Sequence, residues 1–233
     1  MRRFWDARAE ENALFFVDNK LDYRDPDEPV FWARGEAELE SLLGSVGARL
    51  DPGDDVVEIG CGVGRMTRVL ANRAATVRAV DVSPRMLARA HEYNGELEQV
   101  EWLLGDGASL APIADASADA CVSHVVFQHI PDPEITLGYV REIGRVLRPR
   151  GWAAFQISNA AEIHRKRTGR EGLAIWWRAL TRRGPRGQAR ASWLGSAVEL
   201  SALRKAADEG AMDVQRVVGE GEQLCFVLTR RRG

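Results

Sequence analysis

Three glycines at alternate positions directly follow a short apolar run. The run Val56–Ile59 leads into Gly60, Gly62 and Gly64. Glycine has no Cβ and tolerates positive φ, so the backbone can turn sharply there and approach a ligand closely. Residues 66–71 have a helical pattern, and the free N–H groups and positive dipole end of that helix would point into the same turn. The spacing predicts a strand–turn–helix unit that binds a nucleotide-like cofactor.

An acidic residue follows this turn at a distance of about 20 positions, which suits the ribose of the same ligand. Asp81 ends the apolar run that begins at Val77. Its carboxylate could instead cap the next helix, but Ser83 and Pro84 already supply the N-cap and N1 residues of that helix. We therefore interpret Asp81 as a ligand of the two ribose hydroxyls.

A second carboxylate follows the next apolar run. Asp106 stands between Gly105 and Gly107, just past a predicted strand. A carboxylate in that place can accept a hydrogen bond from an exocyclic amine such as that of adenine. An Asp–Gly turn without a ligand is the alternative. The residues alone leave both interpretations open.

Composition excludes several other classes of protein. The 233 residues are 45% hydrophobic and 28% charged with a net charge of −2, so we expect a soluble globular protein without a nucleic acid partner. The cysteines Cys61, Cys121 and Cys225 lack CxxC spacing, which favours reduced core thiols over a disulfide or a metal site. No apolar run approaches the length of a membrane span, and the N-terminus lacks the apolar segment of a secretory signal. We therefore expect a cytoplasmic location.

Short apolar runs alternate with helical patterns along the chain. The predicted strands are 55–59, 76–80, 100–104, 120–125, 152–157, 213–218 and 223–229. The predicted helices are one within 1–25 and those at 31–46, 65–73, 84–94, 135–147 and 197–209, the last with Ser196 as N-cap. Because parallel strands need crossover connections, this alternation favours an α/β fold with a parallel sheet covered by helices.

One stretch carries most of the clustered positive charge. Residues 164–190 hold nine Lys or Arg residues and one acid around the apolar residues 173–177. A solvated face is the simplest interpretation. The alternatives are a site for a phosphate-bearing acceptor, or peripheral contact with an anionic membrane surface through Trp176 and Trp177. RNA is a third option, but no RNA-binding fold accompanies these arginines.

Five segments in this order resemble class I S-adenosylmethionine-dependent methyltransferases. They are Glu58-x-Gly60-x-Gly62-x-Gly64, Asp81–Leu87, Gly105–Gly107, Asp119–Asp132 and Glu142–Gly151. The similarity is close over roughly residues 50–160 and looser beyond. It implies a Rossmann-like, seven-stranded, mostly parallel sheet with helices on both faces and the last strand antiparallel. It also implies S-adenosylmethionine as the cofactor.

The resemblance carries site roles over to matching positions. The backbone of Gly60, Cys61 and Gly62 would pack against the methionine and ribose portions, with Glu58 orienting the turn and Gly64 completing it. The other implied contacts are Asp81 (ribose hydroxyls), Val82 and Met86 (flanks of the adenine), Asp106 and Gly107 (adenine amine), and Ser123 and His124 (methionine portion).

Methyl transfer displaces a sulfonium that is already activated, so the protein mainly aligns the acceptor and excludes water. A general base is needed only if the nucleophile must lose a proton. His129 is the first candidate for this catalytic role because it follows the fourth strand, and His124 is the second. The alternative for each is a hydrogen-bonded structural histidine.

The implied function is transfer of a methyl group to an oxygen or nitrogen of a small-molecule acceptor, which could be phosphate-bearing or lipid-like. A regulatory or interaction protein that binds the cofactor without consuming it is an alternative, because the chemistry demands no catalytic side chain. A nicotinamide-dependent oxidoreductase is disfavoured, because the dinucleotide fingerprint needs glycine where this chain has Arg65.

We expect a single domain over residues 1–233. Its predicted parts are an N-terminal helical cap (1–50), a cofactor-binding core (51–160), a basic lid-like insertion (161–195), and a C-terminal helix with two strands (196–233). The aromatic residues of the cap, Trp5 and Phe16 among them, and the tryptophans of the insertion are candidates for the acceptor pocket.

Overall fold

A computed structural model describes residues 1–165, 177 and 185–233. The helices are α1 (Arg2–Val17), α2 (Glu28–Val46), α3 (Arg65–Ala71), α4 (Pro84–Asn94), α5 (Pro133–Val146), α6 (Ala191–Leu194) and α7 (Leu200–Glu209). The strands are β1 (Asp55–Ile59), β2 (Thr76–Asp81), β3 (Val100–Leu104), β4 (Ala118–Ser123), β5 (Leu147–Ile157), β6 (Met212–Val218) and β7 (Cys225–Arg231). About half of the predicted basic insertion 161–195, including Trp176 of its candidate membrane contact, lies outside the described residues.

The seven strands form one sheet in the order β3-β2-β1-β4-β5-β7-β6. Adjacent strands pair in parallel from β3 to β5, whereas β7 runs antiparallel to both β5 and β6. The prediction of a mostly parallel, seven-stranded sheet with an antiparallel last strand is confirmed. The order reverses direction between β1 and β4, which opens a crevice at the carboxyl ends of these strands.

Both faces of the sheet are buried. Successive residues of a strand point to opposite faces, so neighbours such as Val56 and Val57 enter different cores. One core includes residues of α2 and α3, and the other includes residues of α5 and α7. A third, smaller cluster joins α1 to Phe31 of α2 and Met86 of α4.

Local capping signals fix the starts of three helices. Asp27, Ser83 and Asp132 each accept a hydrogen bond from a backbone N–H in the first turn of α2, α4 and α5. A proline stands at the first or second position of each of these helices, where its missing N–H costs nothing. The predicted cap of α4 by Ser83 and Pro84 is therefore confirmed.

The predicted start of the last helix is wrong. α7 begins at Leu200 with Glu199 at the N-cap position, and not after Ser196. The hydroxyl of Ser196 donates to the Ile130 carbonyl at 2.7 Å, and the backbone N–H of Val198 donates to Ser158. These long-range bonds hold residues 196–198 against the core in a non-helical path.

The helix α1 lies across the carboxyl edge of the sheet. Arg2 donates to the Gly105 carbonyl at 3.0 Å, and Asp6 accepts from the Ser83 hydroxyl at 2.6 Å. The helix is interrupted at Asn12, whose side chain accepts from Phe15 N and donates to the Tyr23 carbonyl. No helix among the described residues is long and apolar enough to cross a membrane.

The helix α5 packs closely against the turn after α7, and substitution at Gly144 can test this packing. A Cβ at Gly144 would lie 2.0 Å from the Gly210 carbonyl oxygen, whereas a Cβ at Gly138 would meet nothing closer than 3.8 Å. We expect Gly144→Ala to lower the free energy of unfolding by about 1–3 kcal/mol because backbone must move. Gly138→Ala, in the same helix, should raise it by about 0.5–1 kcal/mol. Urea unfolding of both variants measures this, and equal stabilities would contradict the packing.

Candidate functional site

A cleft opens where β1, β2, β3 and β4 end. Its walls come from the glycine turn after β1, the residues after β2, β3 and β4, and helices α1 and α5. The lining residues are Met1, Trp5, Phe16, Val17, Glu58, Ile59, Gly60, Cys61, Gly62, Arg65, Met66, Val80, Asp81, Val82, Met86, Gly105, Gly107, His124, Val125, Val126, His129, Ile130 and Tyr139.

The glycine turn needs glycine at its positions for two reasons. Gly60, Gly62 and Gly64 have φ values of +79°, +56° and +85°, which other residues rarely adopt. A Cβ on Gly60 would also lie 2.3 Å from the Val126 side chain. The turn is fixed to the neighbouring strand by hydrogen bonds from Gly60 N and Cys61 N to the Val80 carbonyl. Backbone is therefore exposed to the cleft with little side chain in the way.

Asp81 joins three elements at the floor of the cleft. One carboxylate oxygen accepts from Gly62 N at 2.9 Å, and the other accepts from Ser83 N at 2.8 Å. Burial raises the pKa of this carboxyl, and the backbone hydrogen bonds oppose that shift. A carboxylate oxygen accepts more than one hydrogen bond, so Asp81 can still bind hydroxyls from the cleft side.

Glu58 is a buried carboxyl beside the turn. It accepts from the Thr67 hydroxyl at 2.5 Å, and burial raises its pKa to about 7 against this hydrogen bond. Asp81 raises the Glu58 pKa further by charge repulsion. The bond to Thr67 connects the end of β1 to the start of α3, so Glu58 orients the turn between them.

A buried group of charged side chains closes one end of the cleft. Arg65 forms ion pairs with Glu38 at 2.5 Å and with Asp18 at 3.5 Å, and Arg34 also pairs with Asp18. The group connects α2 and α3 to the residue that follows α1. His124 lies 3.7 Å from Glu38, and burial lowers the pKa of this histidine to about 4.

His129 also lines the cleft and is held there by a chain of hydrogen bonds. Its Nδ1 lies 3.0 Å from the Trp193 carbonyl, an acceptor, so Nδ1 carries the proton and Nε2 is the acceptor nitrogen of the ring. The Gln128 amide lies 3.3 Å from Nε2 and is itself bound by Gln156, which also accepts from Val125 N. Burial lowers the His129 pKa to about 4, so the imidazole is neutral near pH 7. Because the lone pair of Nε2 faces the Gln128 amide and the pKa is low, this histidine is a weak base.

Strained backbone precedes His129. Val125 has a φ of +57°, which is costly for a β-branched residue, and it ends β4 earlier than the predicted limit. The Gln156 side chain holds the Val125 N–H at 3.0 Å. The result is that Val125 and Val126 form part of the cleft wall.

A second pocket adjoins the cleft, and His129 lines both. Its described lining residues are Asn19, Gln128, His129, Ile163, His164, Gln188, Trp193, Leu194 and Gln223. None of these is an Asp, Glu, Lys or Arg. The pocket therefore offers amide and imidazole groups beside one indole ring.

Ten of the thirteen predicted site residues line the cleft. The predicted residues outside its lining are Gly64, Asp106 and Ser123. Gly64 lies on the far side of the turn, where a Cβ would meet Asn94 and Trp102. Ser123 is fully buried and donates to the Ile59 carbonyl at 2.9 Å. The structure thus places Gly64 and Ser123 behind the cleft wall.

Asp106 is an exposed residue whose oxygens are taken up by its own loop. It accepts from Ala108 N, Ser109 N and the Ser109 hydroxyl at 2.7–2.8 Å. Desolvation of the carboxylate raises the Asp106 pKa. The hydrogen bonds lower it by more, so the net effect is a lowered pKa. In this structure the carboxylate shapes the loop that brings Gly105 and Gly107 to the cleft.

Sequence reasoning missed several lining residues. Met1 and Val17 gave no signal because α1 has no clear apolar stripe, although Trp5 and Phe16 of the same helix were expected near an acceptor. Tyr139 has the helical spacing of a core residue of α5. Arg65 entered the sequence analysis only as an obstacle to a dinucleotide, and its ion pairs depend on side chains far away in sequence.

Residues 57–155 match a family described as a methyltransferase domain. The chain is 35% identical over 99 residues to the malonyl-[acyl-carrier protein] O-methyltransferase of Hahella chejuensis, covering 42% of this chain and 34% of that protein. It is 32% identical over 153 residues to the ubiquinone biosynthesis O-methyltransferase of Xanthomonas campestris pv. campestris, covering 64% and 53%. The chain therefore matches only about a third to a half of the length of these relatives.

Among solved structures, the N-methyltransferase NodS of Bradyrhizobium japonicum WM9 in complex with S-adenosyl-L-homocysteine has the same fold. It aligns with a TM-score of 0.63 over 100% of this chain and 98% of that chain. The sequence identity is 17%, so this likeness bears on the fold alone.

Glu58→Gln tests the buried carboxyl. The folded pKa of about 7 exceeds the ordinary value of 4.5, so between these values the folded protein retains a proton that the unfolded chain has lost. The stability from Glu58 is therefore fully present below about pH 4.5 and is lost as the pH rises through about 7. We expect the free energy of unfolding of the variant, taken relative to that of the wild type, to rise by roughly 1–3 kcal/mol between pH 5 and pH 8.

Urea unfolding of the two proteins without ligand at pH 5, 6, 7 and 8 measures this difference. Glu98→Gln, at an exposed position, is the matched control and should leave the pH dependence unchanged. Parallel stability curves for the wild type and Glu58→Gln would contradict the raised pKa.

Proposed function

Because the chain belongs to the class I S-adenosylmethionine-dependent methyltransferase family, we propose that it transfers a methyl group from S-adenosylmethionine to an oxygen or nitrogen of a small-molecule acceptor. The observation that carries this proposal is one cleft that combines a glycine turn with exposed backbone and a buried carboxylate. That cleft adjoins a second pocket across His129.

The residues of the cleft fit this cofactor. The turn from Gly60 to Gly62 leaves room for a ligand against its backbone, and Asp81 would accept from the ribose hydroxyls. Val82 and Met86 offer apolar contact to the adenine ring, and the Gly105 and Gly107 backbone lies beside them in the lining. His124 and Arg65 lie at the end where we place the methionine portion.

The cofactor supplies an activated methyl group, so the chain must hold the acceptor in line and keep water out. The side chains of Trp5 and Phe16 on α1 line the cleft, where they would help to exclude solvent from a bound cofactor. His129 presents a neutral Nε2 in the wall shared with the second pocket. A hydroxyl of the acceptor would have to displace the Gln128 amide from this Nε2 to be oriented by it, and the lowered pKa disfavours complete removal of a proton by His129.

We propose that the second pocket receives the part of the acceptor beyond the reacting atom. None of its described lining residues is an Asp, Glu, Lys or Arg, which favours an uncharged acceptor over a phosphate-bearing one. Two curated relatives are named as O-methyltransferases, so oxygen is the favoured atom. The apolar indole of Trp193 could pack against a ring of such a molecule.

A turnover assay tests methyl transfer itself. The protein is incubated with S-adenosylmethionine and a panel of uncharged phenols, alcohols and amines, together with phosphorylated counterparts. We expect formation of S-adenosylhomocysteine and a methylated product with an uncharged member of the panel. Cofactor that binds but stays unconsumed across the whole panel would support a non-catalytic, regulatory role instead.

Asp81→Ala tests the nucleoside site. We expect affinity for S-adenosylhomocysteine to fall by about 10–100-fold, because charge-assisted hydrogen bonds worth roughly 1.5–3 kcal/mol are lost. Titration calorimetry measures the affinity. Asp81→Asn keeps the size of the side chain and should show a smaller loss.

Asp54→Asn is the control, since Asp54 accepts from Asp51 N at the opposite edge of the sheet. It should bind like the wild type. Unchanged affinity in a folded Asp81→Ala protein would remove Asp81 from the site.

A further inference from the structure

A buried amide at the end of β5 connects the walls of the two pockets. Gln156 is 0% exposed and belongs to the lining of neither pocket. Its side-chain oxygen accepts from Val125 N at 3.0 Å, and its nitrogen donates to the side-chain oxygen of Gln128 at 3.1 Å. The same nitrogen donates to the carbonyls of Ile157 and Gln223 at 2.6 Å. Since a buried amide is costly unless it is hydrogen-bonded, these partners fix its position.

Backbone groups determine the direction of these hydrogen bonds. A backbone N–H can only donate, so the oxygen of Gln156 faces Val125. The carbonyls of Ile157 and Gln223 can only accept, so the nitrogen faces them. That nitrogen also reaches Gln128, which must therefore present its oxygen to Gln156.

The same direction continues to the ring of His129. Because the oxygen of Gln128 faces Gln156, its NH2 group faces Nε2 of His129 at 3.3 Å. The protonated Nδ1 donates to the Trp193 carbonyl, which leaves Nε2 as an acceptor for this NH2 group. Every donor in the chain from Val125 N to the Trp193 carbonyl thus meets an acceptor. The chain holds His129 in one tautomer and one orientation.

The other end of the chain holds the wall of the cleft. Val125 has a φ of +57°, which is costly for a β-branched residue, and its N–H is bound by Gln156. Val126 lines the cleft, and a Cβ on Gly60 would lie 2.3 Å from its side chain. A shift of residues 125–126 would therefore change the space against the glycine turn.

We propose that Gln156 is a positioning residue for methyl transfer. On the cleft side it holds Val125 and Val126 against the glycine turn. Through Gln128 it holds the ring of His129 in the wall shared with the second pocket. The assignment rests on the proposed function, and its two structural consequences can be measured without an acceptor.

¹⁵N NMR of the ligand-free protein at pH 7 tests the hydrogen-bond chain to His129. The ring is neutral at this pH, so the protonated Nδ1 and the unprotonated Nε2 give separate resonances, which are assigned by their loss in His129→Asn. Gln128→Met removes the donor to Nε2, and Gln156→Met removes the group that orients this donor. We expect the Nε2 resonance to move to lower field in both variants, and further in Gln128→Met.

Titration calorimetry with S-adenosylhomocysteine tests the effect on the cleft wall. Methionine resembles glutamine in length but has no amide, so in Gln156→Met the N–H of Val125 loses its partner and residues 125–126 relax. We expect the affinity to fall by about 3–10-fold in this variant. Gln128→Met leaves the bond to Val125 in place, so its affinity should stay within about twofold of the wild type.

The matched control is Gln99→Met, which makes the same chemical change at a distance from both pockets. Gln99 donates to the Ala71 carbonyl at 2.9 Å and lines neither pocket. It should match the wild type in both measurements. Thermal unfolding without ligand establishes that each variant is folded. Gln128→Met leaves β5 unaltered, so it decides the chain to His129 even where Gln156→Met does not fold.

An unchanged Nε2 resonance in Gln128→Met, or in folded Gln156→Met, would overturn the proposal. Equal affinity of the wild type and folded Gln156→Met for S-adenosylhomocysteine would contradict it as well, because the cleft wall would then not depend on this amide. Failure of the wild type to bind S-adenosylhomocysteine would overturn the proposed cofactor. That failure is distinguishable, because the NMR measurement uses no ligand.

Discussion

The geometry of the cleft depends on one buried carboxylate. Asp81 accepts hydrogen bonds from Gly62 N and Ser83 N and so fixes the glycine turn, the end of β2 and the start of α4 relative to one another. Ser83 connects these elements to α1, because its hydroxyl accepts from the backbone of α4 as the N-cap and also donates to Asp6 of α1. The helix that covers the cleft is thereby positioned by the same few bonds as its floor.

A second constraint comes from charge that is buried in pairs. Arg65 is 5% exposed, and isolating such a charge from water would be costly without partners. Its bonds to Glu38 and Asp18 meet that need and fix α3 against the N-terminal helices. Breaking one member would leave an uncompensated charge, so the group specifies a single arrangement rather than adding much net stability. The N-terminal helices are therefore part of the site.

The parts that could be predicted from sequence are those encoded by neighbouring residues. The strands 55–59 and 100–104 and the helix 84–94 lie where the apolar runs and the Ser83–Pro84 cap predicted them. The predicted start of α7 was wrong because the Ser196 hydroxyl donates to the carbonyl of Ile130, a partner 66 positions away, instead of capping the helix. The place of Asp106 could not be decided from sequence, because a carboxylate after a strand can face either a ligand or its own loop.

By itself, the sequence determined the order of the strands and helices, the glycine turn, the positions of Asp81 and His129, and the resemblance to a methyltransferase family. Tertiary structure alone decided that Arg65 lies buried between two acids, that His129 is neutral and divides two pockets, and that Tyr139 faces the cleft. The physical reason is range. Strand runs, caps and turns depend on bonds between near neighbours, whereas burial, pKa and the direction of a side chain depend on atoms that only the folded chain brings together.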